Sequence, residues 1–473
     1  MVKNLGYFLS ITCLIILLNA CSKKGSNVDD NGGGNGTPPP DPDTQTMIIP
    51  KKEMRATWMA TVWGLDWPQG DYNATTQKQQ YIAYLDQFKQ LNMNAVFVQI
   101  KGMGDAFYNS PYEPWSGNIT GTRGQNPGYD VLQFMIDEAH AREIEFHAWI
   151  NPFRIATRSG TTASYPTLHS SIDPSWVVSH EKWQMYNPAI PGARQRLADI
   201  VKDIITKYDV DGIHMDDYFY PDPASAGTLV SDQTDYQTYG AGYTTIEDFR
   251  RGNVDKMIKA VHDVIVADKP AVVFSVSPTS DFAYNKNTLY ADVMNWRDWI
   301  DVIIPQIYHN SSFPTRLNNW DVFNNKPYLM VGYGYYLMNN ASELSTQFSL
   351  SRAKKAVAGH LLYSAKYLNT KPDLTVKLAE LFKDQAIIPF LGREVAAAPA
   401  APQNVRIEGN TLKWNFSGSV KSVVYYTANL SQEAKVLGIS PNGEYSISNA
   451  GYYAVATLNA DNKESAVSAP VRK

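Results

Sequence analysis

Short apolar runs alternate with longer amphipathic stretches between Met54 and about Phe390. The short runs have the length of buried β-strands, and the longer stretches repeat their apolar positions with the period of an α-helix. Eight strands are predicted at residues 55–63, 95–100, 144–149, 212–216, 271–276, 302–308, 328–333 and 360–364. Helices are predicted between them at residues 77–91, 131–142, 193–208, 246–266, 341–358 and 374–386. Strands that alternate with helices in this way favour an α/β fold, a closed (β/α)8 TIM barrel, over a doubly wound sheet.

The fourth predicted strand ends in two adjacent carboxylates, Asp216 and Asp217. Because strand side chains alternate, we expect Gly212, His214 and Asp216 to face the barrel interior and Asp217 to face outward. Active sites of such barrels form at the C-terminal ends of the strands. Two close carboxyls in a semi-buried cleft cannot both ionise cheaply, so one pKa should rise and the pair can divide acid and base work. The alternative is a structural pair that caps the next helix or is held in an ion network.

Polar and aromatic residues also follow the other strands. We expect them to meet in one cleft, with the long connections 155–191 and 222–245 as its walls. For His147 a role in the barrel core is an equal alternative, and at least one tryptophan is expected to be structural. The candidate substrate-binding residues are Trp63, Trp67, Gln99, Lys101, His147, Trp149, Asn151, Arg154, His214, Tyr218, Gln306 and Tyr308.

Composition and motifs exclude several classes of chemistry. A net charge of -4 gives no electrostatic reason to expect a nucleic-acid partner. The His residues form no close ligand pair, and the chain has no H-E-x-x-H, G-x-S-x-G or glycine-rich phosphate motif, so neither a metal nor another cofactor is predicted. Aromatic residues make up 12% of the chain, and their flat faces suit sugar rings. These features favour carboxylate acid–base catalysis on a polysaccharide or other glycan, with Glu113 as a possible remote partner or a solvated loop residue.

The two ends of the chain predict export and an accessory module. Residues 1–21 have the pattern of a lipoprotein signal peptide whose Cys21 would carry lipid, which predicts an exported, outer-membrane protein attached to the membrane through a lipid anchor only. Residues 22–50 are rich in Gly, Asn, Pro and Asp and are predicted to be a disordered tether, followed by the barrel at 51–392. Residues 400–473 carry short alternating runs and resemble a fibronectin type III β-sandwich. Its predicted strands are 404–407, 411–414, 421–427, 452–458 and 466–471.

Several motifs along the predicted barrel carry a family resemblance. They are Arg55-Ala56-Thr57-Trp58 with Leu65-Asp66-Trp67-Pro68, Pro127-Gly128-Tyr129-Asp130, Glu138-Ala139-His140, His147-Ala148-Trp149 with Asn151-Pro152-Phe153-Arg154, Val210-Asp211-Gly212 with Asp216-Asp217-Tyr218-Phe219-Tyr220, Val276-Ser277-Pro278 and Pro305-Gln306-Ile307-Tyr308. With them the chain resembles glycosyl hydrolase-like family 10, long known as domain of unknown function 187 and common in bacterial lipoproteins.

The resemblance implies a barrel glycosidase that acts on bacterial cell-wall glycan, notably peptidoglycan strands stripped of peptide. Asp216 is then expected to be the general acid/base and Asp217 its partner or the nucleophile. Gln306 and Tyr308 would contact sugar or acetamide, and His147, Asn151 and Arg154 would bind hydroxyls or a carboxylate. A chitinase-like mechanism, in which the substrate's own acetamide is the nucleophile, is one option. The alternative function is that of a non-catalytic glycan-binding surface lipoprotein.

Overall fold

A computed structural model describes residues 46–160, 162–393, 396–418 and 420–473. The predicted signal peptide, with Cys21, and most of the predicted tether lie outside these ranges. Residues Gln45–Lys473 form one compact unit. Within the described ranges, every helix is too short or too polar to cross a bilayer.

Among the described residues, the barrel region contains twelve strands, of which nine form the barrel sheet. They are β1 Met54–Met59, β2 Ala95–Lys101, β3 Glu145–Ile150, β4 Arg154–Thr157, β5 Val177–His180, β6 Trp183–Tyr186, β7 Gly212–Met215, β8 Val273–Val276, β9 Val302–Ile303, β10 Gln306–Ile307, β11 Tyr328–Tyr333 and β12 Val357–Tyr363. The barrel order is β1-β2-β3-β7-β8-β9/β10-β11-β12, with all neighbours parallel, and β12 pairs with β1 to close it. The predicted eight-stranded parallel barrel is therefore confirmed.

The sixth predicted strand is broken into β9 and β10, which both pair with β11. Pro305 lies in the break, where the backbone has no N–H to donate to the sheet. Its carbonyl still accepts a hydrogen bond from Gly332 N at 3.0 Å. The two short pieces thus occupy one barrel position.

All six predicted helices are present, as α1, α3, α4, α7, α10 and α12. The helices of the chain are α1 Ala74–Gln90, α2 Gly117–Thr120, α3 Val131–His140, α4 Pro191–Lys207, α5 Pro223–Ala226, α6 Gln233–Tyr239, α7 Ile246–Asp268, α8 Phe282–Asn287, α9 Phe313–Trp320, α10 Ala341–Arg352, α11 Ala365–Thr370 and α12 Pro372–Leu381. Polar caps define several starts: the Asn73 side chain accepts hydrogen bonds from Thr75 N and Thr76 N at the start of α1. Short 3-10 helices lie at Val62–Gly64, Pro174–Trp176, Val293–Trp296 and Tyr335–Leu337.

Two separate apolar layers hold the barrel together. On β2, Ala95 and Phe97 point into the barrel, whereas Val96, Val98 and Ile100 point outward to the helices. Both faces are apolar because helices cover the outside of a parallel barrel and side chains fill its inside. This is why the strands appear in the sequence as almost continuous apolar runs.

The C-terminal region forms two antiparallel sheets, with strand orders β13-β14-β17 and β16-β15-β18-β19. The strands are β13 Gln403–Glu408, β14 Thr411–Asn415, β15 Lys421–Thr427, β16 Lys435–Ser440, β17 Glu444–Ser446, β18 Tyr452–Leu458 and β19 Val471–Arg472. Four predicted strands are confirmed as β13, β14, β15 and β18. The structure adds β16 and β17, and the predicted strand at 466–471 is wrong except at its end, where only Val471 and Arg472 pair with β18.

These sheets contact the end of the barrel where the strands begin. The Asn462 side chain donates a hydrogen bond to Glu145, the first residue of β3. Ile387, which follows the barrel, is buried among residues of the four-stranded sheet. A cavity of about 590 Å³ lies at this junction. The predicted tether also ends earlier than expected, because Ile48 pairs with Glu433 and Met47 packs on the same sheet.

Candidate active site

The two adjacent aspartates lie just beyond β7, at the mouth of the barrel, which is the end formed by the C-terminal ends of its strands. Strand β7 forms because Ile213 and Met215 pack outward into the core while His214 points inward. Gly212 is required for close packing, since a Cβ there would lie 2.2 Å from Nδ1 of His147. The strand ends at Met215, so the predicted outward orientation of Asp217 does not follow.

Asp216 is buried, with 4% of its surface exposed. Its Oδ2 accepts hydrogen bonds from Trp149 Nε1 at 3.0 Å and from Asn151 Nδ2 at 3.4 Å. Its Oδ1 accepts one from Tyr218 N at 3.4 Å. Burial raises the pKa of Asp216 to about 6, although the charge of Arg154 and these hydrogen bonds favour the carboxylate. Trp149 and Asn151 therefore position the acid and stabilise its ionised form.

Asp217 is only half-buried and lines a cleft of about 190 Å³. Burial and, to a smaller extent, the negative charge of Asp216 together raise the pKa of Asp217 to about 7, although a hydrogen bond from Gln306 opposes the shift. The Gln306 Nε2 atom also donates to Ser277 O at 2.8 Å, which fixes the carboxamide at the mouth. Between about pH 6 and pH 7 the pair therefore holds about one proton, and Asp217 is the member that retains it more readily.

Aromatic side chains surround Arg154 on the same side of the mouth. Its guanidinium carbon lies 4.2 Å from the ring centre of Tyr218, 5.3 Å from Trp183 and 5.9 Å from Trp63. Trp63 and Tyr218 are 59% and 50% exposed, which is unusual for large aromatic residues. Both therefore have free ring surface for stacking on a sugar.

A second aromatic group forms the opposite wall, after β10, β11 and β12. Tyr308 lies 6.0 Å from Tyr363 and 6.1 Å from Tyr336, between ring centres. Burial raises the pKa of Tyr308, and the negative charge of Asp217 contributes to the same shift. The predicted residues Gln306 and Tyr308 thus lie at the mouth.

Five of the residues predicted to bind substrate lie in the interior of the protein rather than along the cleft. They are fully or almost fully buried and have partners of their own: Trp67, Gln99, Lys101, His147 and His214.

The side chains of Trp67, Gln99 and Lys101 form hydrogen bonds with the backbone of the segments that follow β1 and β2. Trp67 donates from Nε1 to Gln77 O at 2.9 Å in the layer between barrel and helices. Gln99 Oε1 accepts from Val62 N at 3.0 Å, and Lys101 Nζ donates to Met103 O at 2.9 Å. These polar groups form hydrogen bonds with backbone atoms of the segments that follow the strands, and such a role competes with substrate binding.

The two histidines belong to the barrel core. His147 stacks on Phe97 with ring centres 4.2 Å apart. His214 Nε2 accepts from Trp58 Nε1 at 3.0 Å, so its Nδ1 carries the hydrogen and donates to Ser275 Oγ at 2.9 Å. Burial lowers the pKa of His214 well below its usual value, and the imidazole is neutral. Of the two alternatives for His147, substrate binding and a role in the barrel core, the stacking on Phe97 favours the role in the core.

The connection 155–191 forms an ordered wall, a small antiparallel sheet of order β4-β6-β5. It brings Trp183 to the cleft, a residue that the sequence reasoning missed because the segment was treated as an irregular loop. Alternating apolar residues around Val177 and Met185 were the available signal. Glu113 is buried rather than solvated, and its Oε1 accepts from the Tyr186 hydroxyl at 2.8 Å, so it anchors this sheet.

The cleft therefore combines a carboxyl pair that shares a proton with exposed aromatic rings and amide or hydroxyl groups. Across the part of the chain that the structure describes, no three His, Cys, Asp or Glu side chains approach closely enough to bind a metal ion. Such a site can donate a proton to a leaving oxygen and stabilise positive charge developing on a sugar ring.

Comparison with known proteins gives one family. The model described as glycosyl hydrolase-like 10 matches residues 53–333. Glycosyl hydrolase YngK of Bacillus subtilis (strain 168) is 36% identical over 404 residues, which cover 76% of this chain and 79% of that protein. Glycosyl hydrolase DigH of Escherichia coli (strain K12) is 33% identical over 371 residues, which cover 67% of this chain and 84% of that protein.

Solved structures resemble the fold more distantly. The match to the glycoside hydrolase domain of PgaB (BpsB) from Bordetella bronchiseptica covers 71% of this chain and 99% of that chain, with 12% sequence identity and a TM-score of 0.48. This likeness is too low to bear on function.

Proposed function

We propose, from the premise that this chain belongs to the glycosyl hydrolase-like 10 family, that it hydrolyses glycosidic bonds in bacterial cell-wall peptidoglycan or a related surface glycan. The single observation that carries the proposal is the carboxyl pair Asp216 and Asp217 at the barrel mouth, with pKa values raised to about 6 and about 7. Exposed aromatic rings beside the pair support a sugar substrate.

The surroundings of the two carboxyls favour a division of roles opposite to the one expected from sequence. Asp217 is the more exposed and the more readily protonated, so it donates the proton to the leaving glycosidic oxygen. Asp216 stays ionised because Trp149 and Asn151 donate hydrogen bonds to it, and it stabilises the positive charge that develops in the transition state.

Adjacent residues at one strand end are poorly arranged to act on opposite faces of a sugar ring. This favours a substrate-assisted reaction, in which the acetamide oxygen of an N-acetylated sugar attacks the anomeric carbon as the leaving oxygen takes the Asp217 proton. Ionised Asp216 then accepts a hydrogen bond from the acetamide N–H. Water attacks the same carbon, gives its proton to Asp217, and reopens the ring of the intermediate.

Two further predictions concern the ends of the chain. The orders β13-β14-β17 and β16-β15-β18-β19, one of three and one of four strands, support a fibronectin type III-like sandwich. It lies at the opposite end of the barrel from the mouth, so we assign it a spacer role rather than a wall of the cleft. The N-terminal signal pattern and Cys21 support an exported outer-membrane lipoprotein that is anchored by lipid.

The test is hydrolysis by purified lipid-free protein and two variants, Asp216→Asn and Asp217→Asn. Each variant should lose about 10³-fold or more in the release of reducing sugar from peptidoglycan glycan, with or without its peptides, while its circular dichroism is unchanged. Asp263→Asn, at a half-exposed position on α7, is the matched control and should keep full activity. Unchanged rates in both site variants would reject the assignment.

The second candidate is a glycan-binding lipoprotein without turnover, which the exposed rings of Trp63 and Tyr218 would equally serve. Calorimetry separates the two functions. Binding of glycan by the wild type without any release of reducing ends would favour the binding protein.

A further inference from the structure

Four partly exposed tyrosines form one continuous group across the ends of three neighbouring barrel strands. Tyr308 follows β10, Tyr336 follows β11, Tyr363 is the last residue of β12, and Tyr367 lies in α11, which follows β12. The ring centre of Tyr336 lies 6.1 Å from that of Tyr308, 5.8 Å from that of Tyr363 and 5.7 Å from that of Tyr367. We call these four residues the tyrosine group.

The hydroxyls of the tyrosine group have no protein partners. Within the described residues, none of the four forms a hydrogen bond with another protein atom. Neighbouring tyrosines do have partners: the Tyr335 hydroxyl pairs with Thr375 Oγ1 at 3.1 Å, and the Tyr333 hydroxyl pairs with His360 Nδ1 at 2.8 Å. The group therefore offers exposed ring surface together with unused hydroxyls, which are the two features that a sugar ring can contact.

Packing among the rings does not account for their exposure. Tyr308 and Tyr336 meet edge to face at 90°, as aromatic residues in apolar cores also do. Core tyrosines of the same region are buried, however, as Tyr333 of β11 and the adjacent Tyr335 are. A continuous patch of aromatic surface that stays open to solvent is typical of a ligand-binding groove.

Hydrogen bonds fix the segments that carry the outer members of the group. Lys371 Nζ donates to Met338 O at 2.7 Å, which ties the end of α11 to the segment that follows β11. Leu337 N donates to Gly334 O at 2.8 Å, so Tyr336 lies within a hydrogen-bonded 3-10 turn. A surface that is already ordered loses little conformational entropy when a ligand binds.

The group begins beside the carboxyl pair and continues beyond it. Gln306 lines the cleft with Asp217 and donates a hydrogen bond to that acid, and Tyr308 follows two residues later. From Tyr308, ring contacts continue to Tyr336 and then to Tyr367. Tyr367 is therefore the member most steps removed from the acids along these contacts.

We propose that Tyr336 and Tyr367 form a distal sugar-binding subsite, which holds the glycan at a sugar beyond those that flank the bond to be cut. The ligand is a neutral pyranose unit of a polysaccharide chain, recognised by its ring face and its hydroxyls. This inference rests on the proposed hydrolase function and adds a dependence on chain length to it. Binding energy from the distant sugar then helps to hold the glycosidic bond at the carboxyl pair.

The experiment uses peptide-free peptidoglycan glycan of two lengths, a tetrasaccharide and a dodecasaccharide, labelled at the reducing end. The proteins are the wild type, Tyr367→Leu, Tyr367→Trp and the control Tyr452→Leu. Tyr452 is a partly exposed tyrosine of the C-terminal sheets with Arg472 at 5.6 Å from its ring centre, much as Tyr367 has Lys366 at 5.2 Å. Two quantities are measured: the ratio of kcat/KM for the long chain to that for the short chain, and the positions at which the labelled long chain is first cut.

We expect the wild type to cut the long chain with a kcat/KM about 10-fold higher than that for the short chain. Tyr367→Leu should lower this ratio by about 3- to 10-fold and spread the first cut over more positions, because the distal sugar is no longer held. Tyr367→Trp keeps an aromatic surface and should keep the ratio. Tyr452→Leu should leave both quantities unchanged.

A loss of rate in Tyr367→Leu that is equal for both lengths, with unchanged cutting positions, would show a structural role and overturn the inference without touching the proposed function. A wild type that cuts both lengths equally well also overturns it, even if Tyr367→Leu fails to fold. If no glycan is cut, calorimetry with the same two oligosaccharides decides. Tighter binding of the longer chain that is lost in Tyr367→Leu supports the distal subsite while rejecting hydrolysis, and binding that does not depend on chain length rejects both.

Discussion

Asp216 and Asp217 are neighbours in the chain, yet their carboxyls have different surroundings. Asp216 accepts hydrogen bonds from two side chains, whereas Asp217 faces the cleft. If Asp217 must be protonated and Asp216 ionised, kcat/KM should fall below about pH 6 and above about pH 7, giving a narrow bell. The indole of Trp149 controls the lower limb, because it donates to Asp216.

Trp149→Phe should shift the acid limb of the pH–rate profile upward by about one unit. Phenylalanine keeps the aromatic volume but cannot donate, so the ionised form of Asp216 loses a hydrogen bond that is worth about 1.5–3 kcal/mol. The measurement is kcat/KM from pH 4 to pH 9. Trp414→Phe is the control, because it also removes a buried indole hydrogen bond, to Ser422 Oγ, but in the C-terminal sheets. A profile that stays in place in Trp149→Phe would contradict the role of the indole.

Asp217→Asn should stabilise the protein at pH 8 but not at pH 4. The pKa of Asp217 is raised to about 7 in the folded chain, against about 4 in the unfolded chain, so the native state binds the proton more tightly. The free energy of unfolding of the wild type therefore falls as the pH rises from about 4 to about 7, and the substitution by asparagine removes this decrease. We expect a gain of about 1–3 kcal/mol at pH 8, discounted for the partial exposure of Asp217. The measurement is calorimetric unfolding of the wild type and Asp217→Asn at pH 4 and pH 8. An equal difference in stability between the two proteins at both pH values would contradict the prediction.

The sequence was sufficient to predict the candidate acids and the polar residues that follow the barrel strands. It could not distinguish, among those polar residues, the side chains that face the mouth from those that are buried. Lys101 and Arg154 both follow barrel strands, and both are cations. Lys101 donates to the Met103 carbonyl of its own loop, whereas Arg154 has no such acceptor. That difference depends on loop backbone geometry, which apolar periodicity does not encode.

At the scale of elements, the strands were predictable because both faces of a parallel barrel are apolar. The break between β9 and β10 was signalled by Pro305, although its consequence, two pieces in one barrel position, was not. The wall sheet β4-β6-β5 was missed because its strands are only four residues each and lie within a polar connection. Its attachment to the barrel through Glu113 depends on a long-range contact that no local pattern reveals.

Tyr186→Phe should weaken that attachment. Glu113 is buried, its Oε1 accepts from the Tyr186 hydroxyl, and its Oε2 already has no partner. Removal of the hydroxyl leaves the carboxyl further unsatisfied, which should cost about 1–3 kcal/mol in the free energy of unfolding. Tyr426→Phe removes a more exposed hydroxyl bond, to Ala450 O, and should cost less than about 0.5 kcal/mol. Urea unfolding compares the two, and equal costs would argue against an anchoring role.

At the scale of the whole molecule, the barrel and the C-terminal sheets share one compact unit, with the carboxyl pair at the far end from their junction. Residues on both sides of the barrel sequence join the sheets, since Ile48 pairs with Glu433 and Gln385 pairs with Val436. The sheets therefore hold the two ends of the barrel chain together. We expect them to contribute to stability without entering the reaction.

Ile387→Ala tests this separation of stability from catalysis. Ile387 is buried between the end of the barrel chain and Val436, so its truncation leaves a cavity and should cost about 2–4 kcal/mol. Val376→Ala, at a position that is 63% exposed on α12, removes similar atoms from water-facing surface and should cost little. Because the junction is remote from the mouth, kcat/KM on short soluble glycans should change less than about twofold in either variant. For Ile387→Ala we expect one cooperative unfolding transition at a lower temperature, with activity retained at temperatures below that transition. Separate transitions for the barrel and the sheets, or a large loss of kcat/KM, would contradict this separation of stability from catalysis.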